Sequence, residues 1–265
     1  MTGWKLPKIF SSDAAGTATV RDSPKRLRIG IEDVAVYAVG DVHGCLDELL
    51  ALEAIMIDDA AKFDGDKLII MLGDYVDRGP QSAEVLEHLS KPAPANFHRL
   101  CLMGNHERFM LDYLDGRITL ADWLTVGGLP TILSYGIEPA VVQAMNFDPA
   151  SVDAKVKAAI PAHHVELLRA MPILIDTGHY LFVHAGIRPD IPIEEQSDED
   201  LLFIRKSFFE ASDRLPRYVV HGHTPIDKAK RTGRRVNLDT GAFKTGRLSA
   251  LRIWQNRGRY LSNMH

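Results

Sequence analysis

The sequence predicts an α/β fold. Short β-branched or aliphatic runs alternate with helical patterns, so that the first elements read as strand, helix, strand, helix, strand. Several of these runs end in a small cluster of Gly, Asp, His or Asn. In open α/β sheets the ligand crevice lies beyond the carboxyl ends of the strands. We therefore expect the polar clusters to meet at one place.

The first segment of the chain is unlike the rest. Residues 1–30 are rich in Lys, Arg, Ser, Thr and Pro and have no compact hydrophobic pattern. We interpret them as an N-terminal leader outside the functional site. Residues 31–265 are predicted to form a single domain.

Periodicity predicts the elements of that domain. The apolar residues of 46–62 recur at helical spacing, and 82–89 follows a helical pattern too. The predicted strands, in chain order, are residues 34–39, 68–72, 100–103, 180–183, 218–220, 236–238 and 250–254.

Residues 109–171 interrupt this alternation and read as mainly helical. Asp148 and Pro149 suit the cap and the first position of a helix that continues over 152–160. We predict a helical insertion, either at the mouth of the crevice or as a purely structural layer.

Composition argues against several classes of protein. With 46% hydrophobic and 25% charged residues and a formal net charge of −4, the chain of 265 residues has no basic excess, so no nucleic-acid partner is expected. No stretch approaches the roughly 20 apolar residues of a membrane span, so no membrane partner is expected either. Cys45 and Cys101 lack a paired spacing, which fits a reducing compartment, by default the cytoplasm.

Three polar clusters follow the first three predicted strands. GDVHG at 40–44 places Asp41 and His43 two residues apart at a strand end, where both side chains point the same way. A carboxylate with an imidazole suits manganese, iron or zinc better than calcium. GDYVDRG at 73–79 and GNHE at 104–107 repeat the arrangement.

Two further strand ends carry histidines, in HAG at 184–186 and HGHTP at 221–225. The other histidines lie outside such clusters, and we assign them no function. They are His88, His98, His163, His164, His179 and His265.

These five motifs, in this order, resemble those of the PPP family of metal-dependent serine/threonine protein phosphatases, in its bacterial and phage-type branch. The resemblance covers roughly residues 34–245. It implies a calcineurin-like αββα sandwich, two mixed β-sheets flanked by helices, with a dinuclear metal centre at the strand ends.

The resemblance also implies roles for single residues. Two divalent ions, manganese with iron or zinc as alternatives, would be held by the set Asp41, His43, Asp74, Asn105, His184 and His223, with Asp74 shared. A hydroxide between the ions would attack phosphorus directly. His106 would protonate the leaving group with Asp77 as its partner. Arg78, Arg205 and Asn105 would bind the phosphoryl oxygens.

Three assignments rest on weaker signals. Arg205 is the last residue of LLFIR, which matches the family pattern only loosely, and the alternative is an arginine on a helix surface. His221 either hydrogen-bonds a metal ligand or only packs. Asp239 either supports a ligand or forms a turn.

Three functions remain open on the sequence. The first is a phosphoprotein phosphatase acting on phosphoserine and phosphothreonine, with phosphotyrosine as a further substrate; its partner would be a phosphoprotein or phosphopeptide. The second is a symmetrical dinucleoside tetraphosphate hydrolase, from which Asp77 and Glu107 separate this chain. The third is a non-catalytic binding protein on the same fold. The sequence does not give an oligomeric state.

Overall fold

The computed structural model describes residues 25–264 of the chain. The strands in this part are β1 (Arg26–Arg28), β2 (Ala35–Val39), β3 (Lys67–Met71), β4 (Phe97–Cys101), β5 (Leu174–Asp176), β6 (Tyr180–Val183), β7 (Tyr218–His221), β8 (Lys230–Thr232), β9 (Arg235–Asn237), β10 (Ser249–Trp254) and β11 (Arg257–Ser262). The helices are α1 (Leu46–Ala60), α2 (Ser82–Ser90), α3 (Asn105–Leu114), α4 (Leu120–Thr125), α5 (Leu129–Ser134), α6 (Pro139–Gln143), α7 (Pro149–Ala159), α8 (Ala162–Ala170), α9 (Asp198–Phe203), α10 (Lys206–Glu210) and α11 (Ala242–Thr245).

The strands form two mixed sheets. One has the order β1-β5-β6-β7-β9-β8 and the other the order β11-β10-β2-β3-β4. Strands β2, β3 and β4 run parallel, and so do β6, β7 and β9. Because carboxyl ends of parallel strands meet at one edge, the segments that follow them are brought together there.

The central strands β2, β3 and β6 are buried on both faces, and alternate residues of one strand belong to different clusters. In β2, Val36 and Ala38 pack in an apolar cluster that takes in both sheets, whereas Tyr37 and Val39 pack in a cluster that takes in the helices. Strand β6 divides in the same way. This period of two places one core between the sheets and one beneath the helices. The predicted calcineurin-like αββα fold is confirmed.

Strands with a continuous apolar pattern were the predictable ones, and short or polar strands were not. The strand predicted at 100–103 lies at Phe97–Cys101, because the polar residues His98 and Arg99 pair with β3 there. The sequence prediction missed β1, β5, β8 and β11. The first three have only three residues each, and β11 is largely exposed.

The N-terminal boundary needs a correction. Residues 1–24 of the predicted leader lie outside the described residues. Arg26–Arg28, however, pair in parallel with β5, so the sheet begins before the predicted domain start at residue 31. Their sequence is RLR, which carries no apolar alternation, and this explains the miss.

The described elements between β4 and β5 are all helical, α3 to α8. Helix α5 contacts α2, and α8 contacts both α2 and α3. The helical segment therefore packs on the elements that follow the site-bearing strands. Among residues 25–264, no helix has the length and apolar character that crossing a membrane requires.

Candidate metal centre

The loops after β2, β3 and β7 have a strained backbone. His43, Asp74, Asp77, Arg78 and His223 are non-glycine residues with φ between 46° and 70°. That left-handed region costs an ordinary residue on the order of 1–2 kcal/mol. Such strain persists only where the surrounding structure imposes it, and it clusters at functional sites.

Two glycines let these loops approach closely. A Cβ on Gly79 would lie 1.9 Å from the carbonyl oxygen of His43, and a Cβ on Gly222 would lie 1.8 Å from Oδ1 of Asp41. Any side chain at either position would displace the backbone or the carboxylate. These two motif glycines are thus required by contact between loops from different strands.

Asp74 occupies the middle of the cluster. Its Oδ1 lies 3.3 Å from Nε2 of His184, and its Oδ2 lies 3.4 Å from Nε2 of His43. The backbone N–H of His106 donates to Oδ1 at 3.1 Å. Burial alone would raise the pKa of Asp74, but the histidines around it, His184 first, bring that pKa well below its ordinary value. Asp74 is therefore a carboxylate shared by two imidazoles.

The hydrogen bonds of His43 and His184 fix which ring nitrogen is available. Nδ1 of His43 lies 2.8 Å from the carbonyl of Val76, and Nδ1 of His184 lies 2.9 Å from the carbonyl of Leu72. A carbonyl oxygen only accepts, so each Nδ1 carries the hydrogen and each Nε2 presents a lone pair to the cluster. Burial lowers the pKa of His43 to about 3, which keeps the ring neutral.

His223 and Asn105 complete one side of the cluster. Oδ1 of Asn105 lies 2.8 Å from both Nε2 of His184 and Nδ1 of His223. The other ring nitrogen of His223, Nε2, accepts a hydrogen bond from Nε–H of Arg205 at 3.1 Å. Arg205 therefore lies beside the cluster, and its predicted binding of phosphate stays a prediction.

Asp41 and Asp239 form a buried acidic pair beside this cluster. Oδ2 of Asp41 accepts the backbone N–H of His223 at 2.9 Å, while its Oδ1 is buried without a hydrogen-bond partner. Burial first, and then the charges of Asp239 and Asp74, raise the pKa of Asp41 well above its ordinary range. Asp239 also caps a turn by accepting the N–H of Gly241, and burial raises its pKa to about 6. The bond from Gly241 follows the turn alternative for Asp239, and its support of a metal ligand stays a prediction.

His106 and Asp77 make a buried dyad next to Asp74. Nδ1 of His106 lies 2.7 Å from Oδ2 of Asp77, and the two side chains are 1% and 0% exposed. Burial by itself lowers the pKa of His106, but the charges of Asp74 and Asp77 outweigh it and raise that pKa above its ordinary value. Nε2 of His106 accepts a hydrogen bond from Arg78 at 3.0 Å. In His106, Nδ1 is therefore hydrogen-bonded to the carboxylate of Asp77, and Nε2 is hydrogen-bonded to the guanidinium group of Arg78.

His106 of this dyad lines a cavity of about 450 Å³. Arg78 and Arg205 line it together with Asn105, His106 and His223, and Phe109 and Phe203 form an apolar wall with their rings 5.7 Å apart. Two guanidinium groups facing the same space as a buried dyad suit an anion with oxygens on several sides.

Comparison with known proteins assigns this arrangement to a family. The sequence profile described as calcineurin-like phosphoesterase matches residues 34–251, which contain all five motifs. The chain belongs to the calcineurin-like phosphoesterase family. It is accordingly a hydrolase of the metallophosphoesterase type, as the sequence predicted.

Two curated relatives of this calcineurin-like phosphoesterase have the same name. A protein of Bacillus velezensis is 24% identical over 83% of this chain and 89% of its own length, and one of Halalkalibacterium halodurans is 27% identical over 81% and 88%. Both are named bis(5'-nucleosyl)-tetraphosphatase PrpE, asymmetrical.

Solved structures similar to this calcineurin-like phosphoesterase have more than one name. A putative diadenosine tetraphosphatase is 20% identical with a TM-score of 0.58, over 90% of this chain and 98% of its own. A cold-active protein-tyrosine phosphatase of a Shewanella species is 17% identical with a TM-score of 0.55, over 90% and 83%. A serine/threonine phosphatase from Saccharomyces cerevisiae is 14% identical with a TM-score of 0.53, over 91% and 84%. At these identities the likeness supports the fold.

The donor set of this family member fits divalent metal ions. Two groups of buried donors, His43 with Asp74 and His106, and Asp74 with His184 and His223, each have their donor atoms within 4.8 Å of one another and share Asp74. Oδ1 of Asp41 is buried without a hydrogen-bond partner, and burial and the neighbouring acids raise the pKa of this carboxyl, so a cation beside it would stabilise its charged form. The structure thus supports metal binding, and the identity of the metal stays a prediction.

The structure brings together every predicted ligand and both arginines, but it separates His221 from them. Nδ1 of His221 lies 2.9 Å from the carbonyl of Gly222, and Nε2 lies 3.2 Å from a guanidinium nitrogen of Arg235. The ring packs against Phe208 at 5.1 Å between centroids. These contacts follow the packing alternative for His221 and give it no hydrogen bond to a metal ligand.

Several residues that shape the site had no assigned function in the sequence reasoning. Glu107 accepts the backbone N–H groups of Asp74, Tyr75, Val76 and Gly104. An acid three residues after an N-cap position, here Gly104, is a capping signal that a sequence can show. Trp123 and Thr131, from the helical segment, donate to the Asp77 carboxylate, and no local pattern marks them.

Proposed function

We propose that the chain is a PPP-type phosphoprotein phosphatase that hydrolyses phosphoserine and phosphothreonine monoesters, with phosphotyrosine as a further substrate. The observation that carries the proposal is the buried His106–Asp77 dyad beside Asp74. An alkoxide leaving a serine or threonine phosphate is a strong base, so its departure requires a proton donor. A histidine whose pKa is raised by two carboxylates is such a donor.

The residues around the cavity would bind the phosphate and hold the proton donor in place. Arg78 and Arg205 would bind the phosphoryl oxygens, and each must then exchange its present histidine partner for the phosphate. When Arg78 turns to the phosphate, Nε2 of His106 becomes free to carry the proton that the leaving oxygen takes. Asp77 holds that ring through Nδ1, fixed in turn by Trp123 and Thr131.

Metal ions would be held by Asp41, His43 and Asp74 on one side and by Asp74, Asn105, His184 and His223 on the other. Two divalent ions supply neutralisation of phosphoryl charge and a water of lowered pKa. Manganese is proposed for both positions, with iron or zinc as alternatives, since the donors mix carboxylate oxygen and imidazole nitrogen.

Dinucleoside tetraphosphate hydrolysis is the second candidate, and the names of the curated relatives favour it. The apolar wall of Phe109 and Phe203 beside two arginines also fits a nucleobase next to a phosphate chain. The leaving group would then be a nucleotide phosphate, a weak base that needs a proton donor less. The extensive support of the Asp77–His106 dyad is why the monoesterase stands first.

A side-by-side assay tests the choice. Metal-free protein reloaded with manganese is given phosphoserine, phosphothreonine and phosphotyrosine peptides and a dinucleoside tetraphosphate, and kcat/KM is measured for each. The proposal predicts the highest values on phosphopeptides. A preference of orders of magnitude for the tetraphosphate would overturn it, and the products, two diphosphates or a triphosphate with a monophosphate, would then distinguish symmetrical from asymmetrical cleavage.

A further inference from the structure

A second group of metal-ligating side chains lies away from this centre, between helices α2 and α8. Glu87 is on α2, and His163 and His164 are in the first turn of α8. Nε2 of His163 lies 3.0 Å and Nε2 of His164 lies 3.4 Å from Oε2 of Glu87. The three donor atoms all lie within 4.8 Å of one another. The sequence alone gave these histidines no function.

We propose that Glu87, His163 and His164 form a separate zinc site that joins α2 to α8. Two imidazole nitrogens and one carboxylate oxygen are a ligand set that zinc takes, with the fourth position of the tetrahedron left to water. Calcium and magnesium prefer all-oxygen sites, and two imidazoles do not suit them. The site does not depend on which phosphate ester the enzyme hydrolyses.

The buried member of the trio is oriented by a hydrogen bond behind its ring. The side chain of His164 is 3% exposed, and its Nδ1 lies 2.8 Å from the hydroxyl oxygen of Tyr135. When that oxygen accepts the Nδ1 hydrogen, Nε2 presents its lone pair towards Glu87. A histidine ligand held through its other nitrogen in this way is the usual arrangement at metal sites. Burial also lowers the pKa of His164, which favours the neutral, ligating form.

The other two members leave a path for the ion. The side chains of His163 and Glu87 are 53% and 46% exposed. Beside them is a cavity of about 440 Å³ whose lining includes Glu87, Tyr135 and His164. Lys91 pairs with the other carboxylate oxygen, Oε1, at 3.3 Å. Oε2 is therefore the oxygen that faces both imidazoles.

The trio is linked to Asp77 through helix α5. Thr131 of α5 donates to the Asp77 carboxylate at 2.8 Å, and Tyr135, directly after α5, contacts His164. Ser134 of α5 accepts the backbone N–H of Ala83, in the first turn of α2, at 3.0 Å. An ion held between α2 and α8 would thus help to fix helix α5, and with it Thr131, which donates to Asp77.

Zinc counting tests the proposal. The full-length protein, Glu87→Gln and His163→Ala are dialysed to equilibrium against the same free zinc, and bound zinc per chain is measured. His98→Ala is the matched control, because the His98 side chain is 49% exposed and lies outside both groups of ligands. Zinc entering the centre around Asp74 is common to all four proteins, so differences between them report the second site alone.

We expect Glu87→Gln and His163→Ala each to bind one zinc ion per chain fewer than the wild-type protein and His98→Ala. At zinc about 100-fold above the dissociation constant of the site, Tm should rise by roughly 5–10 °C more in the wild-type protein than in His163→Ala. The same zinc content in all four proteins would show that the three side chains are joined by hydrogen bonds alone, and would overturn the proposal.

Discussion

The carboxylate of Asp77 has three side-chain partners, and two of them come from a segment distant in sequence. His106, Trp123 and Thr131 all lie within 3.2 Å of its oxygens. A carboxylate held this firmly keeps the imidazole of His106 in one orientation and favours its protonated form. At the scale of single residues, the proposed chemistry depends on this dyad.

Asp77→Asn and His106→Asn should each reduce kcat strongly, by about 10²- to 10⁴-fold, on a phosphoserine peptide. On 4-nitrophenyl phosphate, whose leaving group is a weak base, the loss should be much smaller. The measurement is kcat on both substrates at equal metal content. Asp47→Asn, an exposed change in the first turn of α1, serves as the control. Equal losses on both substrates would refute proton donation by His106.

Glu107 shows what single-residue reasoning from sequence can miss. The motif GNHE made it visible, but its function lies in four backbone N–H groups, three of them about 30 positions away in the chain. Sequence patterns report local spacing, so they placed the candidate metal ligands at strand ends. They did not identify Glu107, Trp123 or Thr131, whose partners are set by how loops and helices pack.

Glu107→Gln should lower the free energy of unfolding by about 2–5 kcal/mol, because an amide nitrogen replaces one of two oxygens that accept buried N–H groups. Urea denaturation of the metal-free protein measures this without interference from metal loss. Glu48→Gln, a partly exposed position in the first turn of α1, is the matched change and should alter stability by no more than about 0.5 kcal/mol. Unchanged stability in Glu107→Gln would mean that the loop after β3 does not need the carboxylate.

At the scale of elements, buried acids attach helix α1 to its sheet, and Asp59 is one of them. Asp59, at the end of α1, accepts the hydroxyl hydrogen of Tyr37 at 3.0 Å and lies 3.3 Å from Nε of Arg252. Burial alone would raise the pKa of Asp59, but Lys62, Tyr37 and Arg252 outweigh it and lower that pKa. A lowered folded pKa gives stability that is present above the unfolded pKa, about 3.9, and is lost as pH falls through the folded value.

Asp59→Asn should therefore lower the free energy of unfolding at pH 7 by about 1–3 kcal/mol, since the charge-assisted bonds are weakened. The difference from the wild-type protein should shrink as the pH falls below about 4, because the wild-type carboxyl then becomes protonated as well. Thermal unfolding from pH 3 to pH 7 measures it, with the exposed neighbour change Asp58→Asn as the control. A difference that stays constant across this range would contradict the ionic explanation.

The strands that the sequence predicted correctly are the buried ones. Strands β2, β3, β6 and β7 are apolar on both faces and were found from their composition. Strand β1 has the sequence RLR, and β8 is exposed at every position. These two are fixed by pairing with β5 and β9, which a local pattern does not encode.

At the scale of the whole molecule, the two sheets and the helical segment converge on a set of buried carboxylates. Asp41, Asp74 and Asp239 are each at most 2% exposed and lie close enough for their charges to interact. Unpaired charge of this kind opposes folding unless cations are bound.

Removal of metal should therefore destabilise the fold. A chelator should lower Tm by roughly 5 °C or more, and manganese should restore it, because an ion that binds only the folded state stabilises it by mass action. Differential scanning calorimetry measures both steps on one sample. A Tm that is the same with chelator and with manganese would show that these carboxylates need no cation.

The central claim is a dinuclear centre in which Asp74 is the shared ligand, and manganese content tests it most directly. Asp74→Ala, His43→Ala and wild-type protein are saturated with manganese, and bound metal per chain is measured together with phosphatase activity. We predict two ions in the wild-type protein, one in His43→Ala and less than one in Asp74→Ala, with activity lost in Asp74→Ala. Equal manganese content in Asp74→Ala and His43→Ala would contradict the shared position of Asp74.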